Sequence, residues 1–377
     1  MRQPLVRVAV AAAAVAALVA VQAASAGTAR ASRHGGKLVF VQTNQPTGNQ
    51  IVVYDRAGDG TLTQAGTYDT GGQGGTAVGA PSDHLASQGS LVYAHHLLFA
   101  VNAGSDTLSV FRVRGDRLTL EQVVPSGGGF PASIAVHHDL LYVLNAGGTG
   151  VLQGFRIAGH SVQPLAGSAR SLGLANSDPP FFLTSPGQVG FTPDGRQLIV
   201  TTKASTSEIQ VFAVGHDGRL SATATHNPSA TPVPFAFTFD SADRLVMGEA
   251  GASSVTTYDV NDNGTLTDPH SLTDGQAALC WITRVRDFFY VSNTGSNNVS
   301  GYTIGANGQP ALIGATGIVA TTEAGTIDSA ASGDRFLYVE TGIGGTVDEY
   351  SVDPDGTLTR IGTVTGLPPG LEGIAAT

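Results

Sequence analysis

The sequence contains little cysteine and few basic residues. Its 377 residues include one cysteine, Cys280, so no disulfide can form within the chain. Charged residues make up only 13% of the total, and 29 acidic residues outnumber 19 basic ones, which gives a net charge of −10. Nucleic acids and anionic membrane surfaces both favour clustered Lys and Arg, so neither is expected as a partner.

Long apolar runs are also scarce. The longest, residues 8–21, has 14 residues, whereas a transmembrane helix needs ~20. It follows Arg2 and Arg7 and precedes Ala24-Ser25-Ala26, a pattern typical of a cleaved signal peptide. We therefore expect a signal peptide over residues 1–26, a short linker over 27–36, and a secreted mature protein. No cysteine lies near the cleavage point, so no lipid anchor is expected.

Glycine and one short repeated phrase are abundant. There are 50 glycines, which favours many tight hairpins. The phrase is an aliphatic residue, two free positions and an aromatic residue, and it recurs at the spacing of four-stranded propeller blades. Its seven copies are Ile51 and Tyr54, Leu108 and Phe111, Leu152 and Phe155, Ile209 and Phe212, Val255 and Tyr258, Val299 and Tyr302, and Val347 and Tyr350. The repeat predicts an all-β, seven-bladed β-propeller over residues 37–377.

The register of the repeat predicts how the ring is built. Residues three apart on a strand face opposite sides of a sheet, so each copy makes both sides apolar, as a sheet between two others requires. The first unit lacks an inner strand, and the last ends in an unpaired strand-like segment, 370–376. We expect this C-terminal strand to complete the first blade. The Asp-Gly and Asn-Gly pairs at 59, 217, 263, 307 and 355 predict hairpins between third and fourth strands.

The same register predicts one face of the ring that could bind a ligand. The starts of the inner strands and the ends of the second strands share this face, which we call the loop face. Two long connections, 68–88 and 169–188, also belong to it, and long loops on a rigid scaffold often carry binding residues. Expected ligand contacts are Gln88, Asn102, Asn145, Gln188, Trp281, Asn293 and Glu372. Candidate catalytic residues are Lys203, Glu249 and Asp328, which could supply acid and base groups.

Each of these residues also has a structural interpretation. Asn102, Asn145 and Asn293 precede Ala-Gly or Thr-Gly, where asparagine is a common turn residue. Cys280 and Trp281 could serve packing alone, since free cysteine is usually buried. Lys203 could be a solvated charge, and the two long loops could be surface insertions. The sequence leaves these alternatives open.

Two patterns that suggest metal sites are discounted, and no metal or cofactor is expected. His95-His96 and His137-His138 are adjacent pairs, and neighbours on a strand point apart. The segment from Asp259 resembles the start of a calcium loop, but its twelfth position is His270 instead of a bidentate glutamate.

The segment from Pro186 to Val200, together with the repeated Leu-Tyr-Val and Asp-Gly-x-Leu-Thr phrases, resembles the seven-bladed propeller lactonases. These include 6-phosphogluconolactonases of the cycloisomerase type and carboxymuconate lactonizing enzymes. The resemblance implies a catalytic Arg, Glu and His at positions that here hold Gly187, Lys203 and Ala132. The resemblance therefore implies a lactonase-like propeller without the family's catalytic set. We expect an exported, monomeric small-molecule binding or interaction module, whose ligand would be lactone-like or sugar-acid-like. The alternative is a lactone hydrolase or cycloisomerase with a rebuilt site.

Overall fold

In the computed structural model, which describes residues 37–377, seven sheets of four or five antiparallel strands follow one another as blades. Blades one to three contain β1 (Lys37–Gln42), β2 (Gln50–Arg56), β3 (Leu62–Asp69); β4 (Leu91–Ala94), β5 (Leu97–Asn102), β6 (Thr107–Arg114), β7 (Arg117–Pro125); β8 (Pro131–His137), β9 (Leu140–Asn145), β10 (Val151–Ala158), β11 (Ser161–Pro164) and β12 (Arg170–Ser171). The described residues form no helix, so none of them lies in an apolar helix able to span a membrane.

Blades four to seven repeat the same order, inner strand first. They contain β13 (Val189–Phe191), β14 (Gln197–Thr201), β15 (Glu208–Ala213), β16 (Thr225–Pro228); β17 (Pro234–Phe239), β18 (Leu245–Glu249), β19 (Ser254–Val260), β20 (Leu266–Thr273); β21 (Leu279–Val285), β22 (Phe288–Asn293), β23 (Asn298–Ile304), β24 (Pro310–Leu312), β25 (Ile318–Thr321); β26 (Thr326–Ser332), β27 (Phe336–Thr341), β28 (Thr346–Val352), β29 (Leu358–Val364) and, paired with blade one, β30 (Ile374–Ala376). The all-β, seven-bladed prediction is confirmed.

The repeated phrase builds the contacts between blades. Ile51 of blade one packs in the same buried cluster as Phe111 of blade two, while Tyr54 faces the other way and packs with Val347 of blade seven. Seven such clusters occur in the described residues, and each joins one aliphatic and one aromatic member of the phrase from adjacent blades. The hydrophobic core is therefore a ring of seven interfaces.

The predicted Asp-Gly and Asn-Gly hairpins add polar ties between blades. Gly60 has φ +96°, and a Cβ there would lie 2.3 Å from the Phe336 ring of the neighbouring blade, so glycine is required. Its carbonyl accepts a hydrogen bond from the Tyr338 hydroxyl at 2.7 Å. The four other turn glycines also accept from the preceding blade, through Tyr142, Asn227, Thr257 and Tyr290.

The C-terminal strand closes the ring as predicted. β30 pairs antiparallel with β1, with Val41 opposite Ile374 and Val39 opposite Ala376. Leu371, fully buried, and Ile374 belong to the cluster between blades seven and one. The two ends of the propeller thus share one sheet, and no inner edge of blade one is left open.

The two long connections lie together on the loop face. Val78 of the first connection pairs in parallel with Phe181 of the second. The Val78 N–H donates to the Pro180 carbonyl at 2.8 Å, and the Val78 carbonyl accepts from the Phe182 N–H at 3.1 Å. A further bond of 3.0 Å joins the Gln88 N–H to the Gly187 carbonyl. The loops therefore form one layer over the inner strands.

Candidate functional site

A cavity of about 210 Å³ lies beneath these two loops, against the inner strands of blades five and six. Its walls are mainly apolar and aromatic, with a few polar groups, as is usual for small-molecule sites. The lining residues are Pro81, Ser82, Asp83, Ala86, Phe182, Leu183, Lys203, Val233, Phe235, Ala250, Gly251, Ala278, Cys280, Trp281 and Thr294.

Irregular backbone at the start of the inner strands shapes this cavity. In blades five and six the pairing of the first two strands shifts at this point, which re-aims side chains. In blade six the shift lies between Leu279 and Trp281 and brings Cys280 to the cavity wall. Val233 has φ +65°, a strained conformation for a β-branched residue. Such strain concentrates at binding sites, where the surrounding fold maintains it.

Lys203 holds the two loops against blade four. Its side chain is 1% exposed, and Nζ donates to the carbonyls of Ala86 at 2.6 Å and Phe182 at 2.5 Å and to the Ser185 hydroxyl at 2.9 Å. Nζ also lies 5.0 Å from the centre of the Phe235 ring. Burial lowers the pKa of Lys203 to about 8 against the opposing effect of Asp83, so the amine is mostly charged at neutral pH.

Asp83 and Glu372 form a buried carboxyl pair next to this lysine. Asp83 lines the cavity and accepts the Ala86 N–H at 2.6 Å, and Glu372 accepts the Leu85 N–H at 2.6 Å. A side-chain hydrogen bond joins the two carboxyls. Burial raises the pKa of both carboxyls, and the neighbouring Asp83 raises that of Glu372 further.

Two more buried carboxyls support the closing strand. Glu340 accepts the Gly373 N–H at 3.1 Å, and Asp328 accepts the Ser329 N–H at 2.8 Å. Burial raises the pKa of Glu340 and raises the pKa of Asp328 to about 7, with nearby carboxylates adding to both effects. One oxygen each of Glu340 and Glu372 is buried without a hydrogen-bond partner. Because these buried carboxyls lie close together, their neutral, protonated forms are favoured.

We expect the free energy of unfolding to fall as the pH rises from about 4 to about 7. The pKa of Asp328 is about 7 when folded and 3.8 when unfolded, so the folded state keeps a proton that the unfolded state loses. In Asp328→Asn, the decline in the free energy of unfolding between about pH 4 and about pH 7 should be smaller by an amount on the order of 2–4 kcal/mol, as measured by urea unfolding. Asp59→Asn, at an exposed turn, serves as the control and should leave it intact. An unchanged slope in the Asp328 variant would contradict the assignment.

Gln88, Gln188 and Trp281 lie near the cavity but are engaged with backbone groups. The Gln88 amide donates to the Ile282 carbonyl and accepts from its N–H, both at 3.0 Å, and Trp281 Nε1 donates to the Ser87 carbonyl at 2.9 Å. Blades two and six are thereby tied together across the ring. Gln188 makes a similar pair of bonds to Phe237 of blade five.

The other predicted contacts point into the blades, away from the cavity. Asn102, Asn145 and Asn293 are buried and donate to their own third strands or the hairpins before them. Glu249 is fully buried, and its carboxylate accepts hydrogen bonds from the hydroxyls of Ser229, Thr231, Ser254, Thr256 and Tyr258. These four residues have the contacts of structural groups, and the structure does not bring them to the Asp83 pair.

The positions that the lactonase resemblance assigns to catalysis carry structural contacts in this chain. A Cβ at Gly187 would lie 2.5 Å from the Phe235 carbonyl oxygen, so no arginine fits without a backbone shift. Ala132 is fully buried in the cluster between blades two and three. Lys203, at the glutamate position, has all three ammonium hydrogens directed at loop acceptors.

Sequence reasoning missed Asp83 and also Phe182, which forms the aromatic wall together with Phe235. Asp83 lies inside a loop that the repeat register identifies only as long, and no motif distinguishes it from neighbouring polar residues. Cys280 lies on the cavity wall, but burial raises the pKa of its thiol to about 12, so the sulfur is a poor nucleophile. In residues 37–377, no three His, Cys, Asp or Glu side chains converge as metal ligands.

Comparisons with known proteins agree on the fold. No protein-family model matches the sequence, and no curated protein is significantly similar to it. Solved structures do match: a candidate 6-phosphogluconolactonase from Bacteroides fragilis has 15% identity and a TM-score of 0.71, covering 91% of this chain and 98% of that one. The periplasmic gluconolactonase of Pseudomonas aeruginosa has 17% identity and a TM-score of 0.65, covering 89% and 98%.

A protein from Lactobacillus plantarum is similar at 17% identity and a TM-score of 0.69, covering 91% of this chain and 99% of that one. All three alignments span nearly the whole of the known structure, so the likeness extends around the ring. The predicted signal peptide, 1–26, lies outside the described residues. The resemblance seen in the repeats is confirmed at the level of structure: this chain has the lactonase-like β-propeller fold.

Proposed function

We propose that this protein is exported and binds a small, neutral, lactone-like molecule in the loop-face cavity. The observation that carries the proposal is a cavity with apolar and aromatic walls whose polar groups include the buried Asp83 pair. Phe182, Phe235 and Trp281 offer flat surfaces for a ring, and Asp83 offers a hydrogen-bond acceptor. Export is supported by the signal-like N-terminus and by the periplasmic location stated for the Pseudomonas protein.

The charges around the cavity favour a neutral ligand over an anionic one. Lys203 is the only cationic side chain on the cavity wall, and its three N–H groups are already donated to Ala86, Phe182 and Ser185. A phosphate or carboxylate would therefore find no free cationic donor and would face Asp83. A neutral lactone or a hydroxylated ring avoids both penalties.

Tryptophan fluorescence gives a direct test, because Trp281 is the chain's only tryptophan and lines the cavity. We expect neutral lactones to change its emission in a saturable way and to raise the melting temperature. The matching open-chain hydroxy acids, which are anionic, should bind at least about tenfold more weakly. Ala250→Leu, which places a bulky side chain on the cavity wall, should remove the response. Equal binding of lactones and hydroxy acids, or none by either, would overturn the proposal.

The second candidate function is hydrolysis of the bound lactone, favoured by the hydrogen-bonded Asp83 and Glu372 carboxyls. Asp83 would take a proton from a water molecule as the water oxygen attacks the ring carbonyl. The ring C–O bond would then break, and Asp83 would return the proton to the leaving oxygen, which gives the hydroxy acid. Glu372 would position Asp83.

Acid release measured in the same samples distinguishes binding from hydrolysis. Hydrolysis requires steady acid production that Asp83→Asn abolishes while Trp281 still reports binding. Glu372→Gln, which keeps a hydrogen bond to Asp83, should shift the pH profile of turnover instead of removing it. Binding without acid release would leave the protein as a binding module.

A further inference from the structure

Apolar side chains continue from the cavity onto the surface of the loop face. Leu183 lines the cavity and is 40% exposed, so it marks the mouth. The adjacent Phe181 is 42% exposed, and its ring lies edge-on to that of cavity-lining Phe182 with centroids 5.0 Å apart. Val78, paired with Phe181 across the two loops, is 51% exposed. These residues form a continuous apolar strip that begins inside the cavity.

The strip contains a large share of the exposed apolar side chains in the described residues. Seven large apolar side chains are exposed in residues 37–377, and three of them, Val78, Phe181 and Leu183, belong to this strip. The loops that carry them are fixed by the Lys203 bonds and by their own pairing, so the strip is a preformed surface. Contiguous exposed apolar surface joined to a cavity is typical of a ligand groove.

We infer that the ligand carries a straight apolar chain, which leaves the cavity over Leu183 and lies along Phe181 and Val78. The inference rests on the proposed function, and it specifies the substrate class as alkyl-substituted or acyl-substituted neutral lactones. The ring occupies the space near Asp83 and Trp281, and the chain follows the strip that begins at Leu183. A cavity of about 210 Å³ accommodates a small ring but not a long chain as well, so the chain must extend outside.

Affinity should therefore depend on chain length. A series of γ-lactones with progressively longer straight alkyl side chains is titrated against the full protein, below each compound's solubility limit, with Trp281 emission as the readout. Each methylene that lies against the strip should tighten binding by about fourfold, and the gain should stop once the chain passes Val78. Within each protein the ratio of affinities for long and short chains is the measured quantity.

Substitutions on the exposed strip test the location. Leu183→Ser and Phe181→Ser should reduce the gain to about twofold per methylene. Leu120→Ser is the matched control, because Leu120 is also 40% exposed but lies on the outer strand of blade two. A gain that is the same in the strip variants and the control overturns the inference, as does binding that is independent of chain length. If no lactone binds at all, the proposed function fails and the inference with it.

Discussion

Removal of residues 368–377 is expected to abolish soluble, cooperatively folded protein. The deletion takes away β30, the inner strand of blade one, and exposes the N–H and carbonyl groups of β1 that pair with it. It also removes Leu371 and Ile374 from the cluster between blades seven and one. Glu372 leaves as well, so Leu85 and Asp83 lose their partner. Circular dichroism and thermal melting of the purified truncated chain measure the effect.

A relocated strand provides the control for this deletion. Residues 368–377 can be joined through an Asn-Gly turn to Leu38, because Thr377 and Leu38 already face each other with a 3.0 Å N–H to carbonyl bond. The relocated chain keeps all four strands of blade one, so it should fold and melt like the parent protein. Unchanged melting of the truncated chain, or failure of the relocated one, would contradict closure by β30.

Lys203→Met is the second change with a large expected effect. It leaves the carbonyls of Ala86 and Phe182 without their donor and leaves Asp83 without its nearest cation. Each buried carbonyl left without its donor costs about 1–3 kcal/mol in the free energy of unfolding. The loops should also separate from blade four, which would move Trp281 emission toward longer wavelength. Urea unfolding followed by Trp281 fluorescence reports both effects.

Lys37 gives a matched control, since it is the only other lysine in the chain and is exposed. Lys37→Met should change the free energy of unfolding by less than about 0.5 kcal/mol. Adding Asp83→Asn to Lys203→Met should recover part of the loss, because the unpaired buried carboxylate is then absent. A Lys203 variant as stable as the parent, with unchanged emission, would show that the lysine does not hold the loops.

The fold was predictable from sequence because it rests on a short local pattern used seven times. The spacing of Ile51 and Tyr54 assigns the two to opposite faces, and the ring of clusters follows from repeating that assignment. The closing strand was predictable for the same reason, since a first blade without an inner strand requires one from elsewhere. Periodicity of this kind needs no knowledge of long-range contacts.

The candidate site was predictable only in part, because it is built where the repeat is interrupted. The register gave the loop face and Lys203, Trp281 and Glu372, but it could not show that Lys203 donates to both loops. Asp83 belongs to a long connection outside the repeated unit, so nothing in the pattern fixes its direction. Glu249 is a different case. The register placed it correctly at the end of a second strand, but hydroxyl groups of neighbouring residues donate to its carboxylate, which the pattern does not predict.

The bonds from Gln88 to Ile282 and from Trp281 to Ser87 affect how a ligand can enter and leave the cavity. The connection that leads into blade two contacts blade six there, on the other side of the axis, so the middle of the ring is bridged at the loop face. We expect a molecule that occupies the cavity to arrive and depart by the same opening, on the loop face. Release of one ligand therefore has to precede capture of the next, and whatever chemistry occurs inside proceeds one molecule at a time.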